Sequence, residues 1–550
     1  MNDLSWINFN QLPSSTGGFS NLYIDFLNDF RKVHQFYEMD FHSLQAFSSH
    51  AENISSRYQR NPLVSEVLSE QNQLFGAGSR ALQNIQYLDQ QNTLAIVTGQ
   101  QVGICGGPLY SVYKIITVLK LVDKLSESYP SFKFIPVFWL EGEDHDFNEV
   151  SAIGLLDSDH QPKSIDYQTE SGKRANKNIG AVGEIVLDAS IQSFIEHLQK
   201  TFQNSEFKRP LVDFLQNIYT PGITFNVAFA RLMNKLFEDS GLIFISINDR
   251  RLKKILSPIF KRELQEYPKV SQGIINKSAE LEARYHAQIK PKALNLFFFH
   301  NNGRYLIEPR EHDFMLKGTR QYFQKEEMLR IAEETPELFS PNVALRPICQ
   351  DTILPTLVYV GGPSEIAYFA QLKPVYALFD IVMPIIYPRA SATIVEEKSV
   401  RILEKYQLDL LEIFKDRERL NRKIIDLISE VKIDEMFDEA TKRTDELIAE
   451  MKYGINYIDS TLMGPLESTR EKIKSYLDVL KDKIVEAQKR KHDIALRQMA
   501  KVYNLIFPND NFQERELSII YFMNKYGLDF IKRLQSEIQI DKFMHQMIKV

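Results

Sequence analysis

Between residues 93 and 395 the chain alternates short apolar runs with longer segments in which apolar residues recur at helical spacing. Each run ends in glycine or polar residues before a helical pattern begins, which is typical of a doubly wound α/β domain with a parallel sheet. Residues 20–90 carry Leu, Phe and Tyr at helical spacing and predict a helical layer on that sheet. The predicted strands cover residues 93–98, 134–140, 241–247, 354–360 and 382–387.

Two segments with a different pattern separate these strands, and we interpret both as insertions. They cover residues 157–240 and 270–345. The first is predicted to hold a polar turn at 169–180 and a strand at 184–187, and the second a strand at 293–299 with a turn at Asn301-Asn302-Gly303.

After about residue 395 charged residues of both signs become dense, and glycine and proline are rare except between 454 and 465. Apolar residues in the later half follow alternating steps of four and three, which is a heptad repeat. Two long helices joined at 454–465 therefore predict an antiparallel coiled-coil hairpin, rising about 1.5 Å per residue. The repeat positions are Ile473, Leu477, Leu480, Ile484, Ala487 and Ile494, with Lys491 in the remaining seam position.

A chain of 550 residues is too long for one hydrophobic core, and its length predicts roughly three to four domains. The patterns divide it into seven segments. These are a helical layer with the first half of the core (1–156), the first insertion (157–240), a core strand and helix (241–269), the second insertion (270–345), the second half of the core (346–395), the coiled-coil hairpin (396–504) and a C-terminal segment that returns to the core (505–550).

The composition of the chain excludes several classes of function. The formal net charge of -6 is spread along the chain, so we expect no basic face for nucleic acid. No apolar stretch has the length that a bilayer requires and the start does not resemble a secretory signal, so we expect no membrane contact and a cytoplasmic protein. Cys105 and Cys349 are the only cysteines, which excludes a disulfide framework and a Cys-rich zinc site.

A glycine-rich turn follows the first predicted strand. Its glycines lack the order of a P-loop or a dinucleotide fingerprint, but they let backbone approach a ligand closely. A strand-to-helix junction of this kind is expected to aim unpaired N–H groups and a helix dipole at phosphate or carboxylate. A tight turn needed only for packing is the alternative, and Cys105 within it fits a buried filler better than a reactive thiol. The candidate ligand-binding residues are Gly99, Gly103, Gly106 and Gly107, with Gln100, Gln101, Tyr110 and Lys114 around them.

An acidic cluster with one imidazole follows the second strand. At the end of a buried strand these groups repel one another unless a cation, an amine or hydrogen-bond donors neutralise them. Divalent-metal binding and recognition of an amino group are both possible outcomes, and a solvated acidic turn is the plain alternative. The cluster comprises Glu141, Glu143, Asp144, His145, Asp146 and Glu149.

A third group lies around the fourth and fifth strands. Gly-Gly-Pro recurs at 361–363 as it stands at 106–108, so two halves of the sheet are expected to present matching helix N-termini. The basic residues offer a fork for carboxylate or phosphate, and structural ion pairs are the alternative. No Ser-His-Asp or Cys-His arrangement follows from local spacing. The candidates are Arg346, Ser364, Glu365, Tyr368 and Arg389.

Five motifs together resemble those of the cysteine-adding enzymes of bacillithiol biosynthesis: TGQQVGICGGPLYSVYK, PVFWLEGEDHDFNEV, RPICQDTILPT, YVGGPSEIAYF and AQKRKHDIALRQ. The likeness runs in order from Thr98 to the C-terminal region. It implies a Rossmann-like core with two connecting insertions, a coiled coil that supports a homodimer, and ATP-dependent joining of cysteine to the amine of glucosaminyl-malate. Neither His-Ile-Gly-His nor Lys-Met-Ser-Lys-Ser occurs, so the adenylation residues of class I aminoacyl-tRNA ligases cannot be carried over.

The resulting hypothesis is an amide-forming ligase. Lys114 and the glycine turn hold the phosphates of ATP, which leaves as ADP or AMP, while His145, Asp144 and Asp146 grip the cysteine ammonium or position the attacking amine. A divalent metal is possible but has no assigned ligands. The alternatives are a metal-dependent hydrolase that uses residues 141–149, and a non-catalytic nucleotide-binding protein that acts through its coiled coil. The hypothesis requires that Gln100, Asp144, Ser364 and Arg389 surround one cleft.

Overall fold

A computed structural model of the protein describes residues 5–12, 19–168, 178, 180–311, 313–429 and 432–550, without the side chains of Leu44, Lys489 and Lys491. These residues form two compact units. The first draws on Met1–Ile394 and Pro508–Ile548, and the second on Val395–Phe507 and Lys549–Val550. The polar turn predicted at 169–180 falls almost entirely outside the described residues, and so does the side chain of the Lys491 seam position.

The predicted apolar runs form buried strands. Leu94 to Val97 are fully buried, because helices cover both faces of a parallel sheet. In chain order the strands are β1 (Trp6–Ile7), β2 (Thr93–Gln101), β3 (Lys133–Glu141), β4 (Ala152–Leu156), β5 (Pro162–Asp166), β6 (Ile243–Ser246), β7 (Leu296–His300), β8 (Gly303–Pro309), β9 (Asp313–Leu316), β10 (Tyr322–Gln324), β11 (Phe339–Pro341), β12 (Thr356–Gly361), β13 (Ile385–Pro388), β14 (Ser391–Val395) and β15 (His545–Lys549).

Many helices begin at a residue that caps them. Ser20 and Asn61, for example, accept hydrogen bonds from backbone N–H groups of the first turn that follows. The helices are α1 (Asn21–Asn28), α2 (Leu44–Arg57), α3 (Pro62–Leu74), α4 (Ser79–Tyr87), α5 (Leu109–Ser128), α6 (Phe147–Ser151), α7 (Ser190–Thr201), α8 (Lys208–Ile218), α9 (Phe225–Leu236), α10 (Arg250–Glu282), α11 (Lys325–Glu334), α12 (Arg346–Ile353), α13 (Pro363–Phe369), α14 (Lys373–Phe379), α15 (Glu397–Lys405), α16 (Leu410–Ile413), α17 (Arg417–Ile428), α18 (Ile433–Ile458), α19 (Met463–Lys491), α20 (Asp493–Ile506), α21 (Gln513–Glu516), α22 (Ile519–Tyr526) and α23 (Phe530–Glu537).

The central sheet contains the five strands predicted for the core, in the order β13-β12-β2-β3-β6, and its pairs are all parallel. Register pairs Gln101 with Glu141 and Gly361 with Pro388, so the polar strand ends lie along one edge. The chain builds outward from β2 in one direction and then, with β12, in the other. This change of direction opens a crevice at the carboxyl ends of β2 and β12, where doubly wound sheets bind ligands. The predicted α/β fold class is confirmed.

The two insertions have different structures. The first contains β5, which pairs antiparallel with β4 just before the insertion, and then α7, α8 and α9. The strand predicted at 184–187 is wrong: Val182–Glu184 is a short 3-10 turn, and Val186 makes one isolated bridge with Thr224. The backbone turns there because it donates to residues 142 and 144, which follow β3. The second insertion carries an antiparallel sheet in the order β10-β9-β8-β7-β11, and the predicted Asn301-Asn302-Gly303 turn joins β7 to β8.

The second unit contains the predicted helical hairpin. Helices α18 and α19 are joined by a 3-10 turn at Ser460–Leu462, within the range predicted for the connection. Ion pairs cross between them, with Asp445 accepting both Arg470 and Lys474. The heptad is only partly buried within one chain: Leu480 is 48% exposed and Ile494, on the next helix, is 76% exposed. The coiled-coil domain is confirmed. In the described part of the chain no helix has the length and apolar character to cross a bilayer.

Candidate active site

A cavity of about 740 Å³ lies at the crevice formed by the carboxyl ends of β2, β3 and β12. Gln100, Asp144, Ser364 and Arg389 all line it, so the geometric expectation from the sequence is confirmed. Their chemical roles stay predictions. The other predicted residues that line it are Gly99, Gln101, Tyr110, Lys114, Glu141, His145, Glu149, Arg346, Glu365 and Tyr368.

Two predicted residues of the acidic cluster do not line this cavity. Asp146 caps α6 by accepting hydrogen bonds from the backbone N–H groups of Asn148 and Glu149. Glu143 is buried and forms an ion pair with Lys253 on α10, on a different side of the strand end. The prediction grouped both residues with Asp144 because they are neighbours in the chain. It is wrong for these two, because successive side chains after β3 point in different directions.

The glycine turn after β2 is packed against protein. A Cβ on Gly106 would lie 2.9 Å from the Met233 side chain, and Gly103 and Gly107 lie backbone to backbone. None of these three glycines lines the cavity. Burial also raises the pKa of the Cys105 thiol above its usual range, which fits the expected filler role.

The backbone N–H groups of this turn are also used within the protein. Gly106 and Gly107 donate to carbonyls of the turn itself, Cys105 donates to the Tyr219 hydroxyl, and Leu109 at the start of α5 donates to the carbonyl of Leu517. The prediction of several unpaired N–H groups is therefore wrong for these positions. The physical reason is that a segment more than four hundred residues away in sequence supplies the acceptor at the helix start.

A buried lysine connects the two halves of the cavity. The Lys114 ammonium lies 2.5 Å from a carboxylate oxygen of Glu365, and it donates to the Gly99 carbonyl at 2.8 Å and to Gln100 Oε1 at 2.9 Å. Three acceptors satisfy the three donors of an ammonium group. Glu365 also accepts from the Tyr359 hydroxyl and the Gly362 N–H, so this lysine fixes the side chains of both strand ends.

Arg346, at the start of α12, lines the cavity close to Glu141 at the end of β3. Its guanidinium donates to Gln350 Oε1 at 2.9 Å and to the Tyr368 hydroxyl at 3.2 Å, and it lies 3.8 Å from Glu141. Burial raises the pKa of Glu141 to about 7, although the charge of Arg346 opposes this. Glu141 can therefore exchange a proton near neutral pH.

Asp144 behaves in the opposite way. Burial alone would raise its pKa, but the neighbouring His145 and the charge of Arg304 lower it to about 2. Its oxygens accept from Gln101 at 2.8 Å and from Arg304 at 3.3 Å. The same strand end thus carries one fixed anion and one carboxyl group that titrates. No group of three or more His, Cys, Asp or Glu that could hold a metal ion occurs in the described ranges.

Arg389 is held from the C-terminal segment. Its guanidinium lies 2.6 Å from Glu514, and both side chains are buried. Glu514 also accepts from the Ser391 hydroxyl at 2.9 Å and the Ala392 N–H at 3.0 Å. The backbone N–H of Arg389 donates to the Gly361 carbonyl, which brings the arginine over the β12 junction.

Several lining residues were missed by the sequence. Arg304, on β8 of the second insertion, stacks 3.9 Å from the centre of the Phe297 ring and donates to Ser340 and to the Pro341 carbonyl. No local motif surrounds it. The only sequence signal for the missed residues is the basic pair Lys290 and Lys292, in the loop after α10. Other missed lining residues include Lys290, Lys292, Phe297, Asn342, Tyr359 and Arg515.

The charge of the lining is unbalanced. Four acidic side chains, Glu141, Asp144, Glu149 and Glu365, face seven basic ones. Such an excess favours ligands with phosphate or carboxylate groups. The basic side chains are Lys114, Lys290, Lys292, Arg304, Arg346, Arg389 and Arg515.

Comparison with known proteins gives a consistent picture. A family model described as "Bacillithiol biosynthesis BshC, N-terminal Rossmann-like domain" matches residues 7–390, and one described as "Bacillithiol biosynthesis BshC, C-terminal coiled-coil domain" matches residues 392–550. Relatives named "Putative cysteine ligase BshC" include one from Salinibacter ruber, 36% identical over 98% of each chain. Another, from Chloroherpeton thalassium, is 36% identical over 98% of this chain and 99% of its own.

A solved structure, described as a "putative arginyl t-RNA synthetase" from Campylobacter jejuni, covers 86% of this chain and 98% of its own at 11% identity, with a TM-score of 0.21. A likeness at that score carries no argument about fold or function.

Proposed function

The chain belongs to the BshC family of bacillithiol biosynthesis, as the sequence motifs indicated, and from that premise we propose that it is an ATP-dependent cysteine ligase. The bond formed joins the carboxylate of L-cysteine to the amine of glucosaminyl-malate. The observation that carries the proposal is the cavity at the switch point of the sheet, where a fixed anion, a titrating carboxyl group and an excess of basic side chains meet.

ATP is needed because a carboxylate is a poor electrophile and amide formation in water is uphill. Cleavage of ATP turns the cysteine carboxylate into an activated acyl group, and its product is ADP or AMP according to whether a phosphate or an adenylate is transferred. The basic side chains of the lining fit a polyphosphate, and fixed guanidinium groups stabilise charge that develops during transfer. A divalent metal is not assigned.

Asp144 and Glu141 are proposed to act on the two amino groups. Asp144 stays ionised at neutral pH and fits the cysteine ammonium, with His145 beside it. Glu141, with a pKa of about 7, fits a base that takes a proton from the attacking amine. Gln100, Gln101, Tyr110, Ser364 and Tyr368 orient the substrates. Lys114 acts by fixing Gln100 and Glu365, since its three donors are already occupied.

The test is a reaction of the purified protein with ATP, cysteine and glucosaminyl-malate, followed by mass spectrometry of the thiol product and chromatography of the nucleotides. Formation of the condensed thiol with equimolar ADP or AMP is expected. Unchanged ATP and no product above a protein-free blank would contradict the proposal.

A matched pair of variants sharpens this test. Asp144→Asn should lower turnover at least about 100-fold, because it removes a charge from the cavity. Asp146→Asn, two positions along the same loop, should keep most of the activity because that residue caps α6 outside the cavity. Equal losses in both variants would indicate that the loop acts only through folding.

The proposal includes a homodimer formed through the coiled-coil unit. Support comes from the apolar side chains that this unit leaves exposed within one chain, among them Leu447, Tyr476 and Leu480. Light scattering should give twice the mass of 63.9 kDa. Leu480→Asp should shift the protein toward monomer, whereas Lys483→Asp on the same helix should not. A monomer in the unaltered protein would contradict this part.

The reaction is placed in the cytoplasm, where ATP is available and the cysteine thiol stays reduced. Fractionation of cells that produce the protein, with detection of the ligase activity in each fraction, tests this part of the proposal.

A further inference from the structure

Helix α21 and the residues that follow it are held tightly against the cavity. Gln513 exchanges two hydrogen bonds with the backbone of Ile394, and Ser518 donates to the carbonyls of Cys105 and Gly154. A Cβ on Gly154 would overlap the carbonyl oxygen of Glu516. The short helix therefore has one well-defined position, set by β14, the glycine turn and β4.

Two neighbouring residues of this helix serve the cavity in different ways. Glu514 is buried and neutralises Arg389. Arg515 lines the cavity, and in the described part of the chain its guanidinium makes neither a hydrogen bond nor an ion pair within 4.0 Å. Its Nε is buried and has no hydrogen-bond partner among the residues that the structure describes. The Arg389 guanidinium lies 5.5 Å from the centre of the Tyr110 ring, and Tyr110 and Arg515 line the same cavity.

A buried guanidinium nitrogen without a hydrogen-bond partner is unusual. Buried donors are nearly always hydrogen-bonded, because leaving one unsatisfied costs the full desolvation of that group. Arg389 shows how the protein satisfies such a group when the partner is internal: it has Glu514 and the Ala390 carbonyl. Arg515 is half-buried and lines the cavity, and its Nε has no acceptor among the described residues, so a ligand in the cavity can supply one.

We propose that Arg515 is a substrate-binding residue that receives an oxyanion group in this cavity. The planar fork of a guanidinium matches two oxygens of a carboxylate or a phosphate. Within the proposed function, on which this inference rests, two substrates carry such groups besides the reacting carboxylate of cysteine: ATP has its phosphates and glucosaminyl-malate has its carboxylates. The chemistry is shared, and the binding measurements below separate the two sources.

The test is isothermal titration calorimetry of the full-length protein with ATP and, separately, with glucosaminyl-malate. Arg515→Met should weaken the binding of one of the two by about 10- to 100-fold, since hydrogen bonds to charged groups have strengths of that order. Arg515→Lys keeps the charge but not the fork and should weaken it less. A loss confined to ATP identifies the phosphate source, and a loss confined to glucosaminyl-malate identifies the carboxylate source.

The control is Arg533→Met, which removes one positive charge from an exposed position on α23 of the same C-terminal segment and should leave both affinities within about twofold. Thermal unfolding of Arg515→Met should match that of the unaltered protein, because the guanidinium makes no hydrogen bond or ion pair with the described residues. Unchanged affinities for both ligands in Arg515→Met would overturn the proposal, and so would an unaltered protein that binds neither. Arg515-dependent binding without any ligase product would instead count against the proposed function alone.

Discussion

The two Gly-Gly-Pro junctions of the central sheet have the same local sequence but different surroundings. At 106–108, after β2, Gly106 packs against α9, and neither glycine lines the cavity. At 361–363, after β12, Gly362 and Pro363 line the cavity, and Arg389 lies over them. A glycine turn between a strand and a helix can therefore hold a ligand only if no other part of the chain fills the space in front of the turn.

The segment that occupies the first junction is the C-terminal one. Leu517 accepts the N–H of Leu109, and Pro108 bridges to Ser518. The second junction is capped by a side chain of its own helix, since Glu365 accepts the N–H of Gly362. The Lys114 to Glu365 ion pair then joins the helices that follow the two junctions.

Breaking the ion pair between Lys114 and Glu365 is expected to have the largest effect on stability. Lys114→Met leaves the Glu365 charge buried with only two hydrogen bonds, so the free energy of unfolding should fall by about 3–5 kcal/mol. The two tryptophans, Trp6 and Trp139, both belong to the unit with the cavity. Urea unfolding followed by tryptophan fluorescence therefore measures this unit.

The control for this variant is Lys124→Met on the same helix, where the ion pair with Asp541 is exposed. Its effect should stay within about 1 kcal/mol. If both lysine variants lost the same stability, the buried pair would not be what joins the two junctions.

Substituting one glycine at each junction should separate packing from ligand binding. Gly106→Ala forces a side chain into a left-handed backbone with φ of 85° and against Met233, so it should cost about 1–2 kcal/mol. Gly362→Ala, at φ of -81°, carries no such strain, but its Cβ would lie 3.2 Å from Arg389 Nε. We expect it to cost less stability and to weaken ATP or glucosaminyl-malate binding several-fold, measured by calorimetry. A larger loss of stability in Gly362→Ala, together with weaker ligand binding in Gly106→Ala, would contradict this distinction between the junctions.

Acid should produce the smallest effect. Burial alone would raise the pKa of Glu365, but Lys114 and the Gly362 N–H lower it below the usual 4.5. Because the unfolded state then binds more protons as the pH falls, this contribution to stability is present above about pH 4.5 and is lost below it. Urea midpoints measured from pH 6 to pH 3 should show a slope that Lys114→Met reduces. An identical slope in both proteins would assign the acid sensitivity to other groups.

Much of the core could be predicted from local pattern. The strands after residue 93 are apolar runs, since helices bury both faces of a parallel sheet. Their polar ends lie at one edge because the carboxyl ends of parallel strands point the same way. For this reason Gln100, Asp144, Ser364 and Arg389 were correctly expected around one cleft. Helical periodicity similarly predicted the hairpin of α18 and α19, although exposed Leu480 and Ile494 show that the heptad is not fully used within one chain.

The details of the site could not be predicted in the same way. Nothing near Arg304 in sequence indicates that it stacks on Phe297 and reaches Asp144, since a hairpin of the second insertion brings it there. Glu143 and Asp146 belong to the same acidic run as their neighbours in sequence. Nevertheless, Glu143 pairs with Lys253 and Asp146 caps a helix. Side-chain direction after a strand end depends on the local backbone path, which periodicity does not specify.

The order of residues was enough to predict the parallel sheet, the edge at which its polar ends meet and the long helical hairpin, because apolar periodicity is a local property of the chain. Which groups at that edge are free depends on contacts between distant segments, and these exist only in the folded chain. Leu517 reaches the start of α5, Glu514 neutralises Arg389, and Arg515 lines the cavity with no acceptor for its Nε among the described residues. The physical reason is that a hydrogen bond is completed by whichever acceptor the fold brings within about 3 Å, however distant that acceptor is along the chain.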